Sequence, residues 1–184
     1  MRYFIGFMVT IGLIILLIVL LFHGGGKPKI TSTAKTLTSY ASTDAQVSMT
    51  IDGPVNAASQ HQQIRITVDR DNVTYQHILG YDNNVVDTQI FANTENSYNV
   101  FLHALKHAGF TKGDNSAALR DELGYCPTGN RYIFELDQDN NNLERYWSTS
   151  CGSPKTYLGA VGLTINLFQA QVPNYSDVTD NVQL

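Results

Sequence analysis

No carboxylate occurs before Asp44 in this 184-residue chain, and charged residues of both signs make up only 15 % of it, against a usual ~25 %. A surface so poor in charge must be built largely from Asn, Ser, Thr and Gln. Basic residues number only twelve, which argues against a basic nucleic-acid binder, and no nucleic-acid partner is expected. Cysteine occurs twice, with no C-x-x-C motif and no zinc-type spacing. Local catalytic signatures are missing too: there is no G-x-S-x-G elbow, no Walker loop, no dinucleotide fingerprint and no H-E-x-x-H. No catalytic residue and no cofactor follow from any motif. The chain has no internal repeat and only one long apolar run, which excludes a repeat array and a multi-pass transporter.

That run, Tyr3 to Phe22, holds neither charge nor proline. At ~1.5 Å per residue it reaches about 30 Å, the thickness of a bilayer's hydrocarbon core. A secretory signal would be shorter and would end at a small-residue cleavage site. Here His23-Gly24-Gly25-Gly26-Lys27-Pro28-Lys29 follows instead. The reading is an uncleaved signal anchor over 1–22, contacting the membrane through residues 3–22. Residues 23–44 then form a tether or short stalk helix, with Ala34, Leu37 and Ala41 on one stripe and Tyr40 beside it.

Orientation follows from opposing signals. Only Arg2 precedes the run, whereas Lys27, Lys29 and Lys35 follow it, and positive-inside counting alone would put the domain in the cytoplasm. Three features point outward. From Asp44 on there are sixteen acids against eight bases, the domain is rich in Asn, Thr and Ser, and its two cysteines are placed to suit a disulfide. The expected location is therefore the cell membrane, single-pass, with the domain extracytoplasmic.

Gly6-Phe7 opens the apolar run, and in outline this resembles the type IV pilins, whose leader ends in Gly before Phe, ahead of a hydrophobic helix and an exported domain. The resemblance covers about twenty residues and implies a minor-pilin-like subunit cleaved after Gly6. Two positions depart from the pattern. No basic residue directly precedes Gly6, and Ile11 stands where the family normally has glutamate.

Hydrophobic periodicity predicts one α+β domain over 45–172, with an antiparallel sheet of about six strands and two main helices packed on one face. Val47, Met49 and Ile51 alternate with Ser48 and Thr50, and Ile64, Ile66 and Val68 alternate with Arg65 and Thr67. Further strands follow at Val73–Leu79 and Val85–Phe91, separated by Asp/Asn-rich turns that favour a meander. A helix over 94–108 is expected from the cap at Asn93 or Thr94, Glu95 in the first turn, and Gly109 at its end. Tyr98, Phe101, Leu102 and Leu105 form its core stripe. Thr111 to Leu123 is irregular, with a possible helical turn at Ala117 to Leu123.

The segments 131–136 and 143–149 read as a hairpin across the turn Asp137–Asn142. Setting Leu136 opposite Leu143 puts Tyr132, Leu136, Leu143 and Trp147 on one face. A second helix is expected over 158–170, with Leu158, Val161, Ile165 and Phe168 inward. The tail, 173–184, is polar apart from Tyr175 and scattered valines.

Three constellations are candidates for chemistry. Cys126 and Cys151 bracket the hairpin, and a bridge there would clamp its open end; two free structural thiols or one catalytic thiol are the competing readings. His103 and His107 stand four apart on a helix, a metal-sharing spacing, but Lys106 lies beside them and the pair faces away from the core stripe. Asp137, Asp139 and Asn141 have the 1, 3, 5 spacing of a calcium loop, although Asn142 and Ser148 stand where Gly and Glu are required. Ten tyrosines and Trp147 could also line a glycan- or peptide-binding groove. The expected role is a non-catalytic binding or structural one at the cell envelope, toward an envelope protein or glycan. The alternative is an anchored hydrolase with a non-local site drawn from His77, His103 or His107 with carboxylates.

Overall fold

Six antiparallel strands form a single sheet with the order β4-β3-β2-β1-β5-β6. The computed structural model describes residues 35–114, 119 and 121–184. Among these residues no helix is long and apolar enough to cross a membrane. The apolar run 3–22, the Gly6-Phe7 junction and most of the tether lie outside the described residues.

The strands are β1 (Gln46–Asp52), β2 (Gln62–Val68), β3 (Asn72–Leu79), β4 (Asn84–Ala92), β5 (Arg131–Gln138) and β6 (Asn141–Thr149). The first four make a meander. Its turns are locally specified: Asp69 Oδ1 accepts from the backbone N–H groups of Asp71 and Asn72 at 2.7 and 2.8 Å, reversing the chain between β2 and β3. Helix α1 (Glu95–Ala108) follows β4, and the chain then returns to place β5 against β1. The sheet is α+β in class, with the expected number of strands.

Helix α1 forms where its caps require. The Thr94 side chain accepts from Ser97 N–H at 3.2 Å, Glu95 lies in the first turn, and Gly109 closes the helix at φ 82°. Tyr98, Phe101, Leu102 and Leu105 are buried, each contributing about 2 kcal/mol of apolar burial. The Tyr98 hydroxyl donates to Ala45 O at 2.9 Å. Helix α2 (Val161–Gln169) meets α1 edge-to-face through Phe101 and Phe168, with ring centroids 5.2 Å apart. Both pack on the sheet face formed by Val47, Met49, Ile64, Ile66, Val68, Tyr75, Phe134 and Leu136.

Several boundaries differ from the sequence reading, each for a local reason. Leu37 and Ala41 are buried in the core around a 3-10 turn, Leu37–Tyr40. The stalk stripe is thus the first layer of the domain. Helix α2 begins at Val161 instead of 158 because the preceding residues are committed elsewhere. Tyr157 N–H donates to Trp147 O, Leu158 N–H to Lys112 O and Ala160 N–H to Ala108 O. Leu158 is accordingly exposed. The tail carries a short helix, α3 (Tyr175–Thr179), and Tyr175, Val178 and Val182 pack against the core. The proposed turn at 117–123 lies partly outside the described residues.

The β5–β6 hairpin is one residue out of the expected register. Its turn is the two-residue Asp139-Asn140, with φ of 51° and 62°, the left-handed pair that matches strand twist. A bulge between Leu136 and Asp137 then sets Leu136 opposite Glu144, Phe134 opposite Tyr146 and Ile133 opposite Trp147. Trp147 therefore lies on the face opposite Tyr132 and Leu136, and Leu143 is exposed.

Candidate binding groove on the open sheet face

The alternation that buries every second residue beneath α1 and α2 sends the others to the opposite face, and the register sorts them into rows. Across β2, β1, β5 and β6 the first row reads Gln63, Asp52, Arg131, Thr149. The second reads Arg65, Thr50, Ile133, Trp147, and the third Thr67, Ser48, Glu135, Arg145. Ser48 and Thr50, on the face opposite Val47, Met49 and Ile51, are buried, because they lie on a central strand beneath long charged neighbours. A groove of about 390 Å³ runs over these rows, walled by Tyr81 on one side and by Glu122 and Leu123 on the other.

Asp52 anchors one end. Its Oδ2 accepts from Arg131 Nη2 at 2.8 Å, and Arg131 Nη2 also donates to Gly53 O at 2.7 Å. Oδ1 lies 2.8 Å from His61 Nε2, while His61 Nδ1 is 3.0 Å from Pro54 O. Gln63 Nε2 lies 3.2 Å from the same His61 Nε2. Burial raises the Asp52 carboxyl above its ordinary range, against the opposing pull of Arg131 and His61. The His61 ring is completely buried and stacks on Tyr81, centroids 4.1 Å apart.

Arg145 organises the other end, donating from Nη2 to Glu122 Oε2 at 2.7 Å and pairing through Nε with Glu135 Oε1 at 3.2 Å. Burial again raises the Glu135 carboxyl, with Arg145 opposing. Glu122 comes from the loop after residue 120, which the core holds in place. Trp147 Nε1 donates to Leu119 O at 2.9 Å, and Tyr125 stacks on the indole with centroids 5.2 Å apart.

Cys126 and Cys151 are joined in a disulfide, with Cα atoms 5.8 Å apart. It closes the open end of the β5–β6 hairpin, and Ser150 Oγ beside it accepts from Asn130 N–H at 2.9 Å. Gly129 is needed there, since a Cβ would come within 2.3 Å of Ser150 Oγ and 2.8 Å of Cys126 Sγ.

The other candidate residues do not converge. His103 and His107 are exposed on α1, while His77 is on β3, 3.0 Å from Gln62 Oε1, with burial lowering its pKa against Asp87. Asp137 Oδ1 accepts from Asn142 Nδ2 at 2.9 Å, and Asn141 Nδ2 donates to Asp139 O at 3.1 Å. These contacts belong to the hairpin turn. Among the described residues no group of three His, Cys, Asp or Glu side chains is arranged to hold a metal ion. Tyr75, Tyr98 and Tyr157 are fully buried core residues, Trp147 is fully buried on the opposite sheet face, and Tyr81 is the half-exposed aromatic side chain at the groove.

The groove residues Asp52, Arg65, Glu122, Arg131, Glu135 and Arg145, and His61 behind Asp52, carried no local motif. Their one signal was parity: Arg65, Arg131, Glu135 and Arg145 all occupy off-core positions of their strands. Strand order, which sets β5 beside β1, is what assembles them. Comparison with protein-family models, with curated proteins and with solved structures finds no match.

Proposed function

We propose that this protein is a membrane-anchored, extracytoplasmic binding protein, held through residues 3–22, whose open sheet face takes up a polar ligand at the cell envelope. The observation that carries the reading is the groove over β2, β1, β5 and β6. It is concave, of a size with small-ligand sites, and Asp52, Glu122, Arg131, Glu135 and Arg145 are fixed by ion pairs before any ligand arrives. Its lining combines guanidinium and carboxylate groups with Tyr81, Leu123 and Ile133, which suits recognition by hydrogen bonds along an apolar wall. Among the described residues neither a serine nor a cysteine lines it. The acidic balance of the domain and its disulfide support an oxidising, external location.

The test is retention of defined peptides and oligosaccharides by the full chain in detergent, compared with Leu123→Ala. Leu123 is exposed and lines the groove, so its truncation should weaken retention and leave the fold unchanged. Retention indifferent to Leu123, or none at all, would remove the groove from the argument. Location is tested separately, by labelling intact cells with an impermeant maleimide. Labelling only after reduction supports the external reading, and labelling after lysis without reductant opposes it.

A hydrolase remains the second reading, favoured by the raised carboxyl groups of Asp52 and Glu135 in one groove. Release of products from the retained compounds would select it. The pilin-like alternative requires a mature chain lacking residues 1–6, readable from its mass.

A further inference from the structure

We propose that the groove recognises a singly charged carboxylate of the amino-acid or peptide C-terminal type, with Arg65 as its main cation. The inference rests on the groove being the binding site and adds the chemistry it selects.

Charge pairing on the open face is uneven. Arg131 is matched by Asp52, and Arg145 by Glu122 and Glu135. Arg65 also lines the groove, in the middle row, yet its hydrogen bond is from Nε to the neutral Thr50 hydroxyl at 3.3 Å. No carboxylate among the described residues forms an ion pair with it, and every Asp and Glu of the chain lies within those residues. In the neighbouring row Arg131 Nε and Thr149 Oγ1 are buried without a hydrogen-bond partner, as is Asp52 Oδ1 apart from its ion-pair contact with His61. Donors and an acceptor lie side by side there, so that row favours neither sign of charge, and the preference for an anion rests on Arg65.

Charge limits the valence. Among the described residues the groove sets three guanidinium groups beside Asp52, Glu122 and Glu135, and Arg65 is the cation with no carboxylate at ion-pair distance. One carboxylate gives it a partner. A phosphate or sulfate dianion would meet three acidic side chains over the same rows, which disfavours it. Guanidinium geometry matches a planar carboxylate through paired N–H donors. The apolar wall of Leu123, Ile133 and Tyr81 accepts a side chain, whereas a hydroxyl-rich acidic sugar would lose hydrogen bonds to water against it. The volume suits about a dipeptide.

The experiment measures binding to the full chain in detergent by calorimetry, with acetyl-Ala-Leu, its C-terminal amide, free leucine and glucuronate as probes. The acid should bind at least about tenfold more tightly than the amide, and Arg65→Gln should weaken it by about ten- to a hundredfold. Arg65→Lys should recover part of the loss. Free leucine binding as well as the peptide acid would identify an amino-acid site, and the peptide alone a C-terminus site; both support the carboxylate. Equal binding of acid and amide, indifferent to Arg65→Gln but lost in Leu123→Ala, would overturn this inference and leave the groove a binding site. Glucuronate binding in preference to both peptides would overturn the peptide class. If no probe binds and the wider panel is not retained either, both readings fall together. The circular dichroism and thermal midpoint of Arg65→Gln, at a half-buried position outside the core, report whether the variant folds.

Discussion

Arg131 and Asp52 face one another across the β1–β5 ladder, Nη2 to Oδ2 at 2.8 Å, with side-chain exposures of 3 % and 13 %. Removing one partner of such a pair leaves the other charge buried and uncompensated, which costs far more than the intact pair contributes. Arg131→Met is therefore expected to lower unfolding free energy by about 3 kcal/mol or more. Asp52→Asn added to it should restore a substantial part. Urea denaturation of the single and double variants decides this, and a loss below about 1 kcal/mol for Arg131→Met would show the pair to be well hydrated.

The disulfide closes a loop with a sequence separation of 25 residues. In the chain-entropy account such a loop stabilises by about 3 kcal/mol. Cys126→Ser with Cys151→Ser should lower the denaturation midpoint accordingly, and wild type in reductant should fall with it. Superimposable midpoints with and without the bridge would mean that the hairpin is held by its ladder alone.

Glu135 supplies a pH signature. Its carboxyl is raised above the ordinary 4.5 by burial, Arg145 and Arg65 opposing, with Asp137 and Glu122 adding to the rise. The folded chain thus holds this proton more tightly than the unfolded one. The stability it contributes is complete below about pH 4.5 and is lost as the pH climbs through the raised value. Glu135→Gln, which mimics the neutral form, should be more stable than wild type at neutral pH. The gap should narrow on acidification towards 4.5. Urea midpoints of both chains across that window test it, and a gap that widens on acidification would reverse the assigned sign.

Gly113 is required by close approach. A Cβ there would lie 2.0 Å from the Tyr146 ring, where the backbone bridges to Tyr157. Tyr146 is buried on β6, with its hydroxyl donating to Glu144 Oε2. Gly113→Ala should cost about 1–3 kcal/mol through overpacking, measured by thermal or urea unfolding. A neutral result would show that the 109–114 segment shifts freely from the sheet.

The two kinds of residue in this fold were unequally legible. Val47, Met49 and Ile51, the Ile64–Val68 alternation and the α1 stripe with its Thr94 and Gly109 caps could be read directly, because burial repeats at the period of the element that carries it. The β5–β6 register could not, since it depends on whether Asp139-Asn140 alone turns the chain, and six consecutive polar residues leave that choice open. The groove was less accessible still. Asp52 reads as the start of an Asp-Gly-Pro turn and Arg65 as an ordinary solvent position. Asp52 takes its meaning from Arg131, 79 residues on in sequence, and Arg65 from the groove that β5 and β6 complete on the same face, through the return of β5 beside β1.

Trp147 is the only tryptophan in the chain. Its indole is sealed from water, holds Leu119 O and is covered by Tyr125, so it senses the loop that brings Glu122 and Leu123 to the groove. The molecule consequently carries its own optical gauge. Emission from this single ring should be blue-shifted while the loop is seated and move to the red when it lifts. The state of the groove wall can thus be followed in the unlabelled protein.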